Sequence, residues 1–184
     1  MELAQIRKES IMTDRKPIEA KNISGYGGGP IEWETVRDII AEPKGAEMVC
    51  YIGTVRPNGV PHVAGIGAIL FEDDFYIVTA KDSRKAQNFA SNPHATIATR
   101  VPGYDVTFEG VVSPVDDPVL LERLAAEYRK SGWPAEVKDG AFTAPYSAQT
   151  AGPPPWHVFR FRYSEAVALQ ISEEGRAMRW RFAD

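Results

Sequence analysis

Between residues 48 and 114, apolar and polar positions alternate in short runs separated by turn residues, the period expected of half-buried strands. The runs predict strands over 48–55, 60–70, 75–79, 95–101 and 105–113, with Asn58-Gly59 and Asp73-Asp74 as hairpin signals. Links this short make successive strands antiparallel neighbours, and closure into a small barrel removes the exposed edges. Further alternating runs at 156–163, 166–171 and 178–182 complete the sheet. Three helices are expected. Trp33, Val36, Ile39 and Ile40 place an apolar stripe on a short helix before the barrel. Ser83 is placed to cap a helix that runs through Asn88 and ends at Asn92-Pro93. Asp116-Asp117-Pro118 opens a third, with Leu120, Leu121, Leu124, Ala125 and Tyr128 on one face and Gly132 beyond its end. Residues 133–155 carry Trp133-Pro134, Ala144-Pro145 and Gly152-Pro153-Pro154-Pro155 without an apolar period. They read as a long stiff connection that covers a cofactor, reaches across a dimer interface or crosses the surface. Residues 1–30 are polar and end in Gly27-Gly28-Gly29-Pro30, a mobile arm and loop that leave 31–184 as one mainly β (α+β) domain.

A chain of 184 residues buries a sizeable core without disulfide or metal staples. Its formal charge of −4 gives no basic field for nucleic acid. The single cysteine, Cys50, lies in the apolar run 48–52 and reads as a buried strand residue. No run approaches the roughly 20 apolar residues of a membrane span, and the charged N-terminus lacks the apolar run of a signal peptide, so the expectation is a cytoplasmic protein. The glycine-rich loop is not a nucleotide site, because no strand is expected before it and neither Gly-x-Gly-x-x-Gly nor a Gly-Lys-Ser/Thr ending is present. His62, His94 and His157 are far apart and lack metal-ligand spacing, and no Gly-x-Ser-x-Gly elbow occurs. No metal is expected and no catalytic side chain stands out, so a cofactor would have to carry any reaction.

Residues 79–93 are where a ligand is most clearly written. A strand ending in Thr79 runs through Ala80, Lys81 and Asp82 into a helix capped by Ser83 and opened by Arg84 and Lys85. Free amides and the helix dipole attract an anion there, and Lys81, Arg84 and Lys85 add charge, Arg84 with a planar fork suited to phosphate oxygens. The plain alternative is an ordinary solvated helix start.

With its flanks, this segment resembles the phosphate-binding element of the pyridoxamine 5′-phosphate oxidase-like flavin-binding split barrels. Upstream, residues 53–63 (Gly-Thr-Val-Arg-Pro-Asn-Gly-Val-Pro-His-Val) look like that superfamily's first hairpin. Downstream, residues 105–110 (Asp-Val-Thr-Phe-Glu-Gly) match the strand ending in Glu-Gly. The three blocks fall in family order within 50–114. The resemblance implies a six- to seven-stranded antiparallel split barrel with flanking helices, working as a homodimer with a flavin between the subunits. It places Thr79, Ser83, Arg84 and Lys85 on the phosphate, and main-chain groups of His62, Val63, Ala64 and Gly65 along the ring. The family's vitamin B6 oxidase carries an arginine and a lysine on that strand and a C-terminal Arg-x-His. Residues 60–70 contain neither Arg nor Lys, the chain ends without that motif, and Asp105 stands where the oxidase has a glutamine. The pattern looks more like the branch using FMN or the deazaflavin coenzyme F420, whose acidic tail Lys81, Arg56 or Arg100 would counter. An unsaturated small molecule is the implied hydride partner. A non-catalytic FMN carrier or sensor, an oxidase of the parent type and a haem-handling barrel with His62 as axial ligand are the alternatives.

Overall fold

In the computed structural model, which describes residues 15–25, 27–41, 49–146, 152–171 and 175–183, the chain first forms β1 (Glu19–Asn22), α1 (Trp33–Ala41) and β2 (Cys50–Val55). Next come β3 (Pro61–Ile66), β4 (Ala68–Phe71), β5 (Asp74–Thr79), α2 (Arg84–Ser91), β6 (His94–Val101) and β7 (Tyr104–Pro114). The order closes with α3 (Pro118–Lys130), β8 (Glu136–Lys138), β9 (Ala141–Thr143), β10 (His157–Gln170) and β11 (Ala177–Arg181). All pairings are antiparallel. The main sheet runs β1-β11-β10-β7-β6-β2-β3, with β5 on β10 and β4 on β5.

β10 gives the fold its split. One edge pairs with β7 along nearly the whole strand. The other edge pairs with β5 over residues 157–161 and with β11 over 165–169. Between these segments the register slips, so that Ser164 and Glu165 together oppose Glu109. The extra residue resets the side-chain parity. Phe161 and Tyr163 point inward before it and Ala166 and Ala168 after it, opposite the unbroken inward series Val106, Phe108, Gly110 and Val112 of β7. The strands cross closely here: a Cβ on Gly110 would lie 2.1 Å from the Arg162 carbonyl oxygen.

The interior holds Ile52, Phe75, Ile77, Ile97, Phe108, Phe161, Tyr163 and Trp180, covered by Trp33, Val36 and Ile40 of α1 and by Ala86 and Phe89 of α2. β5 is buried on both faces. Its other side, through Tyr76, meets a second cluster made by Leu121, Leu124, Ala125 and Tyr128 of α3 with Phe142 and Val158. Apolar burial of this kind contributes roughly 25 cal/mol per Å², and it fixes β5 and the residue at its end.

The mainly β reading holds, as do Cys50 as a buried strand residue, Trp33 as core and the three helices. Four expectations are corrected. Residues 60–70 are two strands, broken at Gly67, because β3 pairs with β2 whereas β4 pairs with β5. The β4–β5 turn is Glu72-Asp73, both at positive φ as a two-residue hairpin loop requires, rather than Asp73-Asp74. The 133–155 connection contains the β8–β9 hairpin, with Val137 and Phe142 packed against α3's cluster; its residues 147–151 lie outside the described residues. Within the expected arm, β1 pairs with β11, so a strand does precede the glycine loop; residues 1–14 lie outside the described ones. That loop still lacks nucleotide-binding spacing.

Candidate cofactor site

The site begins where β5 ends. Thr79 is 2% exposed, and its hydroxyl donates to Ser83 Oγ at 3.0 Å. Ser83 adopts an extended conformation and caps α2, its Oγ accepting from the Ala86 amide at 3.3 Å. The capping bond uses the third amide of the helix, and the first two, on Arg84 and Lys85, have no partner inside it. Arg84 and Lys81 are exposed. Lys85 is half-buried, and loss of solvent pushes its ammonium below the usual lysine range. Among the described residues no carboxylate pairs with Lys81, Arg84 or Lys85. A half-buried cation without a counter-charge is unfavourable for the fold alone and favourable for an anion.

The β2–β3 hairpin reaches the same place. Arg56 donates its amide to the Val60 carbonyl at 3.0 Å and accepts from the Gly59 amide at 2.8 Å, with Gly59 at φ +81°, a three-residue loop closed by a left-handed glycine. Below the turn, Thr54 and His62 pair across the strands. Asn88 of α2, 1% exposed, donates Nδ2 to Thr54 Oγ1 at 2.8 Å. Thr54 Oγ1 in turn donates to the His62 carbonyl at 3.3 Å and stands 3.5 Å from His62 Nδ1. This buried chain ties helix to hairpin. The His62 imidazole is held below its ordinary pKa first by desolvation and then by Arg56, Arg84 and Lys85. Two basic residues from the helix and two from the hairpin therefore share one field.

Beyond His62 the strand is open. β3 pairs only with β2, and Thr54–His62 and Ile52–Ala64 continue the hydrogen-bonded alternation set by Arg56–Val60. The main-chain groups of Val63 and Gly65 consequently point to the unpaired edge. Val63 is 66% exposed, and nothing lies within 4 Å of where a Cβ on Gly65 or Gly67 would sit. Ala64 is on the inner, half-buried face. A planar ring can approach main chain here without displacing a side chain.

Thus the structure brings Thr79, Ser83, Arg84, Lys85, His62 and the Val63–Gly65 edge together. Arg100 does not join them: it is committed to Asp105 of the neighbouring strand at 2.6 and 2.9 Å. His94 is exposed at the start of β6. His157 is half-buried directly opposite Thr79, sharing a strand face with Phe159, whose ring meets Phe89 of α2 at 5.3 Å. Sequence reading missed Thr54 and Asn88; a polar residue at an inward strand or helix position was the available signal. Among the described residues no cluster of three His, Cys, Asp or Glu could hold a metal, and no helix is long and apolar enough to cross a membrane. A cavity of about 510 Å³ lies elsewhere, lined by Ile31, Trp33, Met178 and Trp180.

The family model described as pyridoxamine 5′-phosphate oxidase matches residues 33–170, well over half of the chain. No curated protein sequence matches. Among solved structures, a pyridoxamine 5′-phosphate oxidase-related, FMN-binding protein of Nostoc punctiforme PCC 73102 is 16% identical with TM-score 0.59, the alignment covering 85% of this chain and 94% of that one. A conserved hypothetical protein of Mycobacterium tuberculosis is 17% identical with TM-score 0.56 over 76% of this chain and 85% of that one. General Stress Protein 26 of Bacillus anthracis gives 16% and 0.51 over 73% and 91%. At such identities the structural likeness speaks for the fold, and the family match supplies the rest: the chain belongs to the pyridoxamine 5′-phosphate oxidase-like split-barrel superfamily.

Proposed function

We propose that this protein is a homodimeric oxidoreductase that moves a hydride between bound FMN or coenzyme F420 and an unsaturated small molecule. The observation that carries the reading is the half-buried, unneutralised Lys85 beside Arg84 at a capped helix start, next to an open main-chain edge. When bound, a flavin or deazaflavin supplies the hydride chemistry. The chain's residues hold and orient it. Arg84, Lys85, the Ser83 and Thr79 hydroxyls and the first amides of α2 take the phosphate, with Lys81 adding charge from solvent. Val63 and Gly65 main-chain groups face the ring edge, and Ala64 leaves room behind it. A second copy covering the exposed Val63 and Tyr51 would exclude water from the ring.

Titration with FMN and, separately, F420, followed by quenching of each cofactor's own fluorescence, tests the assignment. Arg84→Ala and Lys85→Ala should lose affinity, and unchanged affinity in both removes the phosphate site. Reoxidation of the reduced, cofactor-loaded protein by enones or quinones faster than by oxygen supports an enzyme; reoxidation by oxygen alone makes it a carrier. A monomer at micromolar concentration with cofactor bound rules out the shared site.

A further inference from the structure

Building on this reading of the phosphate corner, we infer that Arg56 and His62 form a second anion subsite beside it, which takes an acidic group of the bound molecules other than the phosphate on α2. The argument starts from charge. A phosphate ester carries about −1 as a diester and up to about −2 as a monoester at neutral pH. Arg84 and Lys85 together with the roughly +0.5 of a helix start already offset either. Arg56 is then surplus, and it comes from a different element.

Its setting is built. The turn that carries Arg56 is closed by two backbone bonds and a left-handed Gly59, and the strands beneath it are fixed to α2 through Asn88 and Thr54. Arg56 is half-buried, its Nε has no hydrogen-bond partner, and no carboxylate of the described residues pairs with it. The charged groups that face His62 are Arg56 from the turn and Arg84 and Lys85 from α2. Desolvation first, and then these three cations, hold its imidazole below the ordinary histidine pKa. An anion bound among them offsets the cations' share and favours a proton on His62, so the subsite tightens as pH falls and loosens as pH rises through the raised, ligand-bound pKa. The surplus lies at the hairpin mouth, next to the edge of β3. The occupant is therefore a carboxylate or second phosphate reaching past the first, from either an acidic cofactor tail or an anionic substrate.

Proton NMR of the histidine ring signals in the full-length protein, titrated with inorganic pyrophosphate, tests this without requiring a flavin. His62 should shift and its pKa rise while His94 stays still, and Arg56→Gln should remove the response. A His62 signal that ignores pyrophosphate overturns the subsite. Fluorescence quenching provides the second arm: where the occupant is the cofactor tail, Arg56→Gln should weaken F420 about tenfold and FMN less than twofold, and where it is a substrate it should leave both within twofold, whereas Arg84→Ala weakens both. An equal, roughly tenfold weakening of both cofactors by Arg56→Gln would merge Arg56 into the phosphate site and also overturn the proposal. If His62 responds to pyrophosphate but neither cofactor binds, the hydride-transfer reading fails and the subsite stands. Loading with F420 that abolishes the pyrophosphate response assigns the subsite to the cofactor tail. A response that persists in F420-loaded protein assigns it to an anionic substrate.

Discussion

β5 begins and ends on charge, and its two ends treat charge in opposite ways. At the Asp74 end the buried carboxylate is answered by two guanidinium groups. Arg160 Nε donates to Asp74 Oδ2 at 2.6 Å, the Arg15 guanidinium lies 3.7 Å from Oδ1, and Arg15 also sits over the rings of Tyr163 and Phe182 at 4.8 and 5.3 Å. At the Thr79 end, five residues along, Lys81, Arg84 and Lys85 face no carboxylate among the described residues. Both ends are partly desolvated, so burial does not separate them. What separates them is neutrality within the chain: matched charge belongs to the fold, and unmatched charge to something the fold receives.

The sharpest way to break this contrast is to unbalance the matched end. Replacing Arg160 by Met keeps the stem but leaves Asp74, 5% exposed, with the more distant Arg15 and Arg162. We expect a loss of about 2 kcal/mol in urea unfolding at neutral pH, below the range for a fully buried pair because Arg160 is 36% exposed. Burial already pushes the Asp74 carboxyl above the usual carboxylate range against the pull of Arg160 and Arg15, and the substitution pushes it further. A folded-state pKa raised above the unfolded one favours the fold at low pH and is lost as pH rises through the folded value. The variant's deficit should therefore shrink on acidification towards the carboxylate range; a deficit independent of pH would mean that packing, not charge, was removed.

At the opposite end, Arg84→Ala should leave the unfolding midpoint almost unchanged while FMN affinity falls by about 10- to 100-fold, the worth of one or two charge-assisted hydrogen bonds. Equal affinity in isothermal titration would make Arg84 a solvated surface residue. Ser83→Ala touches both properties: loss of the cap should lower stability by about 1 kcal/mol and free the Thr79 hydroxyl, which thermal unfolding with and without FMN would resolve. The smallest effect, and the most discriminating in sign, is Lys85→Met. Removing a half-buried cation that lacks a partner should raise ligand-free stability by up to about 1 kcal/mol while weakening FMN; clear destabilisation would show that Lys85 serves the fold.

The phosphate corner was legible in the sequence because capping is local. Ser83, Arg84 and Lys85 lie within one turn, and the strand before them ends in a recognisable Thr79. The link that fixes the corner to the hairpin was not, since Asn88 and Thr54 are 34 positions apart and nothing between them shows that they meet. The same distinction explains the strands. β1 has four exposed residues and no alternation, and exists because β11 offers it an edge. Gly67 divides a run that is continuous in hydropathy, because the partners on its two sides differ. Conversely, β10 was read as two runs because Ser164 breaks the parity of a strand whose backbone continues through it. Local chemistry is written in the sequence, and pairing choices are made by the rest of the chain.

The Ser164 bulge reaches beyond this molecule. It lets β10 serve β5 on one side of the slip and β11 on the other, and it depends on Gly110, where any Cβ would strike the Arg162 carbonyl oxygen. Position 110 is therefore a filter on sequence drift. A relative with any other residue there must have straightened β10 or moved it away from β7. In either case the part of the sheet formed by β1 and β11 would no longer be aligned with the part that carries the phosphate corner. One position in an alignment would then tell which members of the superfamily keep this barrel geometry, before any of them is expressed.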